Sequence, residues 1–393
     1  MSDALMTDEE WRQVRFSEVA ESVTERVDDP TTAGVHAYVG LDHLDPDTLK
    51  ISRWGSPTDV EATKLRFYPG DVIYARRRAY QRKLGVAEFE GICSAHALVL
   101  RAHPDVCLPE FLPYFLQSDQ FHERALDISV GSLSPTINWK TLAVQKFALP
   151  PVAEQRKVVE LLGQCDEVIA KYSCACVAGR SLTEAFRIHI AQVGEVHSLL
   201  ELAGPGGIQI GPFGSQLHAE EYTETGIPVV MPSDLRSDGL DASNIRRVTE
   251  STAERLSQHR LQPGDIVLPR RGELDKRASV GEAEQGWLCG TGSVRIRLRE
   301  PENATLVVQM LSAREAVRWL SDNAVGTTMP NLNSAIVGRI PLRLPQSSER
   351  AAWAARLRGV LSTISLAEST MAEAKRVRTE LLRTYCARRS DVQ

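Results

Sequence analysis

The sequence predicts an α+β chain: two tandem domains of mixed α and β structure, separated by two long antiparallel helices and related by a pseudo-twofold internal repeat. Three observations predict it. A set of short motifs recurs in the same order about 195 residues apart. Each recurrence opens on short apolar runs broken by Gly, Pro and Asp. Each closes on a Pro-free stretch of about 40 residues with an apolar residue every 3.5 positions.

The recurrence is best seen at Pro69-Gly70-Asp71-Val72-Ile73 with Arg76-Arg77, which returns as Pro263-Gly264-Asp265-Ile266-Val267 with Arg270-Arg271, an offset of 194. Gly34-Val35 with Asp42 matches Gly226-Ile227 with Asp234 at 192. Gly91, Cys93 and Leu98-Val99-Leu100 echo Gly286, Cys289 and Val294-Arg295-Ile296. Gly131 to Asn138 matches Gly326 to Asn333, and Leu149-Pro150 with Glu154 matches Leu344-Pro345 with Glu349, both at 195. A Pro-Gly-Asp turn alone is common; five ordered matches are a duplication.

Within each copy, strand-like runs fall at 35–39, 71–74 and 97–101, then at 229–231, 265–268 and 293–299, with helical patterns at 108–128 and 304–320. The Pro-free stretches run over 152–192 and 346–389. The first carries the seam Val158, Leu162, Cys165, Ile169, Tyr172, Cys176, Gly179, Leu182, Phe186. The second carries Trp353, Leu357, Val360, Ile364, Ala367, Met371, Ala374, then Val377 and Leu381 after a local slip. One seam needs a partner, so the two helices are expected to pack on each other, antiparallel, as a rod roughly 60 Å long that holds the domains apart. The expected divisions are a domain at 1–148, a helix at 149–192, a domain at 193–344 and a helix at 345–393.

Length and composition bound the function. The 393 residues exceed one ordinary core, and 42% hydrophobic with 25% charged residues is a globular composition. No run approaches 18 apolar residues, and the acidic first ten residues do not resemble a signal peptide, so neither a membrane span nor secretion is expected. Seven scattered cysteines suit a reducing cytoplasm. The net charge of −5 excludes a uniformly basic nucleic-acid binder but leaves room for local patches: residues 1–192 hold 21 Lys and Arg against 27 Asp and Glu.

Enzyme motifs are missing. There is no P-loop, no dinucleotide-binding Gly-x-Gly-x-x-Gly, no Asn/Asp-Pro-Pro-Tyr/Phe tetrapeptide, no His-Glu-x-x-His and no Cys-x-x-Cys, so neither a catalytic site nor a metal site is expected. Cys174 and Cys176 face different sides of a helix. Asp265, Glu273 and Lys276 loosely resemble a nuclease set, but Glu273 and Lys276 are three apart and the first copy has Ala79 and Arg82 there.

What both copies share is a cationic cluster after the Pro-Gly-Asp strand. The first is Arg76, Arg77, Arg78, Arg82 and Lys83, with Tyr74 and Tyr80 interleaved; the second is Arg270, Arg271, Lys276 and Arg277. A guanidinium fork grips phosphate or reads guanine, so two matching clusters suggest one duplex touched twice. Either cluster alone also reads as a solvated charged loop. The segment Gly211-Pro212-Phe213-Gly214-Ser215-Gln216-Leu217 allows close backbone approach, with Ser215 and Gln216 offering donors.

This segment, followed by Tyr222, Gly226-Ile227-Pro228 and Gly264-Asp265-Ile266, resembles a target-recognition domain of a type I restriction-modification specificity subunit. Leu149-Pro150-Pro151-Val152-Ala153-Glu154-Gln155-Arg156 resembles that family's start of its long spacer helix. The first copy lacks a Gly-Pro-Phe-Gly-Ser counterpart, and the second helix starts with Arg350 where Gln would stand. The resemblance implies a cytoplasmic subunit of a phage-defence system, non-catalytic and without a cofactor of its own. Each domain would read half of a bipartite site on double-stranded DNA. The helices would dock two methyltransferase (modification) subunits, which a motor-nuclease restriction subunit can join. The rival readings are a stand-alone defence nuclease and a protein-binding scaffold on the same architecture.

Overall fold

The computed structural model describes residues 11–46, 48–236, 239–324 and 331–386. The chain divides into two units, residues 1–173 with 368–393 and residues 174–367, so that each unit holds a globular body and one half of each long helix.

In the first unit Arg12–Arg15 pairs antiparallel with Lys146–Leu149, which places the start of the globular body beside the strand that leads into the long helix. One four-stranded sheet runs Ala20–Val23, Ala97–Ala102, Val72–Ala75, Leu84–Val86, all antiparallel. Another runs Arg26–Val27, Lys64–Phe67, Gly91–Cys93, Tyr38–Val39, its last pairing parallel. The second unit repeats the plan. Glu195–Ser198 pairs with Pro341–Leu344. Its sheets are Ile208–Ile210, Ser293–Arg297, Asp265–Pro269, Ala278–Ser279 and Tyr222–Thr223, Arg246–Val248, Ile227–Val230, Leu288–Cys289. The central strands Val72–Ala75 and Asp265–Pro269 are buried at every residue, which is why they read as continuous apolar runs rather than alternating ones.

The Pro-Gly-Asp motif is a type II turn in both units. The Asp71 N–H donates to the Tyr68 carbonyl at 3.0 Å and the Asp265 N–H to that of Gln262 at 2.9 Å, with Gly70 at φ 92° and Gly264 at φ 87°. The Asp carboxylate then accepts from the first turn residue, Tyr68 or Gln262, and from both arms of an Arg on the neighbouring strand. The Arg101 pair lies at 2.8 and 3.0 Å, the Arg297 pair at 2.8 and 2.7 Å. Asp71 and Asp265 are each 1% exposed while their Arg partners reach solvent, so the most visible motif of the repeat is a structural ion pair with a buried carboxylate.

Asp234 caps a short helical turn by accepting from the Met231 N–H at 2.8 Å, but its counterpart by role is His43, whose Nδ1 accepts from Gly40, not Asp42 as the offset of 192 suggests. The helical patterns are each two helices: Leu112–Gln117 and Asp119–Asp127, then Ala304–Leu311 and Arg314–Asn323. Ser118 breaks the first because its extended backbone and hydroxyl cap the next helix at Phe121; Ala313 is the extended residue at the equivalent break.

The long helices span Val152–Val193 and Ser347–Cys386. Within the first unit, Val158 and Leu162 of one helix share a core with Leu381, Leu382 and Tyr385 of the other, and Asp166 meets Arg378 at 2.6 Å. Within the second unit, Phe186 meets Trp353 at 5.2 Å, and a Cβ on Gly179 would lie 2.6 Å from Ile364, so Gly179 is the gap that Ile364 fills. In each unit residue numbers rise on one helix as they fall on the other, so the halves pack antiparallel. The seams need two corrections. Leu182 is 58% exposed while Thr183 is buried, its hydroxyl returned to the Gly179 carbonyl. Val377 is exposed and Arg378 buried. With Thr183 and Arg378 in place both seams alternate by fours and threes without a slip; an apolar neighbour one position away concealed the register.

The helix starts are built alike. Gln155, wholly buried, donates to the carbonyls of Pro150 and Val106 and accepts from Leu108, each at 2.9 Å. Arg350 donates to the Pro345 carbonyl at 3.0 Å and meets His197 at 2.8 Å. The residue change preserves the anchor to the carbonyl before the helix.

Candidate nucleic-acid interface

At the end of the buried strand Val72–Ala75 the first unit turns sharply. Arg78 and Arg82 both adopt left-handed backbone, at φ 57° and 49°, which swings the segment 76–82 out of the sheet. Its backbone is held by the second repeated motif. Ile137 donates to the Arg76 carbonyl at 3.0 Å, Arg78 donates to that of Pro135 at 2.8 Å, and Arg77 lies opposite Thr136. Two motifs 60 residues apart thus form one corner. Arg77 and Arg78 are exposed there; Arg76 is half-buried with its Nε shielded and unpaired. His96 sits nearby, and burial, then the Arg77 and Arg76 charges, lower its pKa, so the corner's positive charge comes from the arginines. Arg82 and Lys83 are engaged by protein groups: Arg82 pairs with Asp119 at 2.9 Å and Lys83 donates to the Leu41 carbonyl at 3.1 Å.

The second unit builds the same corner. Leu332 donates to the Arg270 carbonyl at 2.8 Å and Arg271 lies opposite Asn331; residues 326–330 of this repeated motif lie outside the described residues. Arg271 is exposed. Arg270 is only 9% exposed, its Nε donating to Asn331 Oδ1 at 3.1 Å and its guanidinium 5.5 Å from the Phe213 ring. Burial and then the Arg271 charge lower its pKa.

The 211–217 loop therefore belongs to this corner. Gln216 folds back to accept from the Phe213 N–H at 3.1 Å, while Ser215 and the Phe213 ring face solvent. The close approach that Gly211 permits is internal: a Cβ there would lie 2.0 Å from the Gly290 carbonyl.

Two second-unit cations do not lie free on the surface. Lys276 pairs with Glu273 at 2.5 Å. Arg277 is 1% exposed and donates to the Leu311 and Asp275 carbonyls, and burial lowers its pKa to about 10. The expectation of an accessible cation at 277 is corrected: it ties its loop to the helix Ala304–Leu311. Asp265, held by Arg297, and Glu273, held by Lys276, belong to separate ion pairs. Sequence reasoning did not connect the Arg clusters with Pro135, Thr136, Asn331 and Leu332. The signal was present, since both motifs repeat at nearly one offset, but repetition does not say which repeated pieces touch.

Residues 9–171 match the family described as type I restriction modification DNA specificity domain. Over 181 residues, 44% of this chain, the sequence is 26% identical to the type I restriction enzyme EcoDI specificity subunit of Escherichia coli, and the match spans 40% of that subunit's length. The fold is similar to that of the S subunit of a type I restriction-modification system from M. genitalium, with a TM-score of 0.68 at 15% identity, covering 97% of both chains. A chain from a structure of type I restriction-modification complex assembly and conformational transition gives a TM-score of 0.50 at 20% identity, covering 98% of this chain and 100% of that one.

Proposed function

We propose, from the match of residues 9–171 to the type I restriction modification DNA specificity domain, that the chain is the specificity subunit of a type I restriction-modification complex. Residues 1–148 and 193–344 act as target-recognition domains, each reading one half of a bipartite site on double-stranded DNA. The helices at 149–192 and 345–393 set the gap and dock two modification subunits, which bring the methyl donor, and a motor-nuclease subunit can join them. The chain does no chemistry itself and works in the cytoplasm.

The observation that carries this reading is the repeated corner: exposed Arg77 and Arg78 in one unit, exposed Arg271 in the other, each pinned by backbone bonds to the same partner motif. Arginines on a pinned backbone can hold phosphates in register while neighbouring groups meet base edges. Arg76 and Arg270 stand at these corners and Ser215 is exposed on the loop of the second, while Arg82, Lys83, Gln216, Lys276 and Arg277 are engaged by protein groups.

Modularity is the test. Residues 195–344 are replaced by the corresponding domain of a relative, which keeps both strands of the Glu195–Ser198 and Pro341–Leu344 pair from one source. Duplexes enriched from a random pool should then change in one half-site and keep the other. A folded hybrid that altered both, or a parent that enriched no duplex, would refute the reading.

A further inference from the structure

We propose that the loop closed by Val130 and Thr136 is an apolar wedge, whose tip residue Leu133 enters a base-pair step of the duplex held by Arg77 and Arg78; this rests on the DNA-reading function above.

Leu133 is 93% exposed, the highest value among the described large apolar residues, and Val130 is 77% exposed. The loop that carries them is nevertheless tightly built. Val130 donates to the Thr136 carbonyl at 3.1 Å and Thr136 to that of Val130 at 3.0 Å. The Thr136 hydroxyl donates to the Ser134 carbonyl at 3.0 Å, and Gly131 takes the left-handed backbone, φ 112°, that the turn requires. Nothing in this arrangement covers Leu133; a pinned five-residue tip presents it outward.

The foot of the loop is the Arg corner itself, through Thr136 opposite Arg77 and Pro135 bonded to Arg78. An apolar side chain that protrudes beside exposed guanidinium groups suits double-stranded DNA, because phosphates pair with the cations while the base stack offers apolar surface to a wedge. The second unit arranges an independent version. Phe213, 55% exposed, lies against Arg270 at its own corner. An exposed apolar residue beside the repeated arginines is thus common to both units, although different loops supply it.

The full-length chain first selects a duplex from a random pool, and 2-aminopurine is then placed at each position of its half-sites in turn. Wild type should raise fluorescence at one step in the half-site assigned by domain exchange to residues 1–148. Leu133→Ala should return that signal to the free-duplex level and weaken binding about tenfold through lost apolar burial, whereas Leu133→Met should keep it. Because Leu133 is exposed, Leu133→Ala should leave thermal unfolding unchanged, which separates the effect from misfolding. An unaltered signal and affinity in Leu133→Ala overturns the wedge and leaves DNA reading intact. Weakened binding with no brightened step in wild type also overturns it, in favour of a groove contact such as a thymine methyl. If wild type selects no duplex, the wedge and the DNA-reading function fall together.

Discussion

Arg271 stands exposed while Arg270, one residue earlier, is buried between Asn331 and the Phe213 ring, so single substitutions separate a surface charge from a structural one. Arg271→Ala should reduce the slope of log affinity against log salt by about 0.9 and change stability by less than about 0.5 kcal/mol. Arg270→Ala should cost about 1–3 kcal/mol of stability, because Asn331 loses its donor and the loop its packing, with a smaller effect on the salt slope. Binding across a salt series together with thermal unfolding distinguishes them. Equal slope losses in the two variants would place both on phosphates. The same logic sets Arg277 apart from the exposed arginines: its guanidinium is buried and donates to the Leu311 and Asp275 carbonyls.

The long helices carry their polar exceptions where a heptad seam places them. Arg378 donates to Asp166 and to Gln117, each at 2.6 Å, and lies over the Tyr114 ring, whose hydroxyl donates to Asp166 at 2.8 Å. Removing the cation would take the Arg378 donor from the Gln117 amide oxygen and from Asp166 Oδ1, leaving Asp166 the Tyr114 hydroxyl. Arg378→Met should therefore lower the unfolding midpoint of the first unit, by the equivalent of about 1–3 kcal/mol. Val377→Ala, on the exposed side, should change stability by less than about 0.5 kcal/mol. If Val377→Ala proved the more damaging, the seam would run where the apolar sequence alone suggested. The polar cluster also supplies register: a shift of one heptad would separate Arg378 from Asp166.

For the whole molecule, the proposed spacer role gives a length prediction. One heptad inserted after Ile169 and another after Ile364 keeps both seams in phase and lengthens the helices by about 10 Å. The preferred gap between half-sites should grow by roughly 3 bp, with the half-site sequences unchanged. That change also rotates one half-site by about 100°, so affinity should fall by the cost of twisting or bending the DNA, of order 1–6 kcal/mol. Selection from a library with variable gaps measures it. An unchanged optimal gap in a folded, DNA-binding variant would deny the helices a spacing role.

The duplication, the α+β class and the two long helices could be read from residue order alone, because periodicity and turn chemistry are local: Pro-Gly-Asp makes its turn within four residues, and a 3.5-residue repeat is visible along one chain. Exposure was not local. Arg82, Lys83, Arg270 and Arg277 resembled Arg77 and Arg271 as residue types, yet Asp119, Leu41, Asn331 and Leu311, each more than 30 positions away, decide that they are paired or buried. The same holds for the seam, where Thr183 and Arg378 replace the more apolar Leu182 and Val377 because hydrogen-bond partners on neighbouring turns and elements satisfy them. Composition and spacing set which elements form; whether a given side chain meets solvent depends on which distant segment folds against it, and only the tertiary structure decides that.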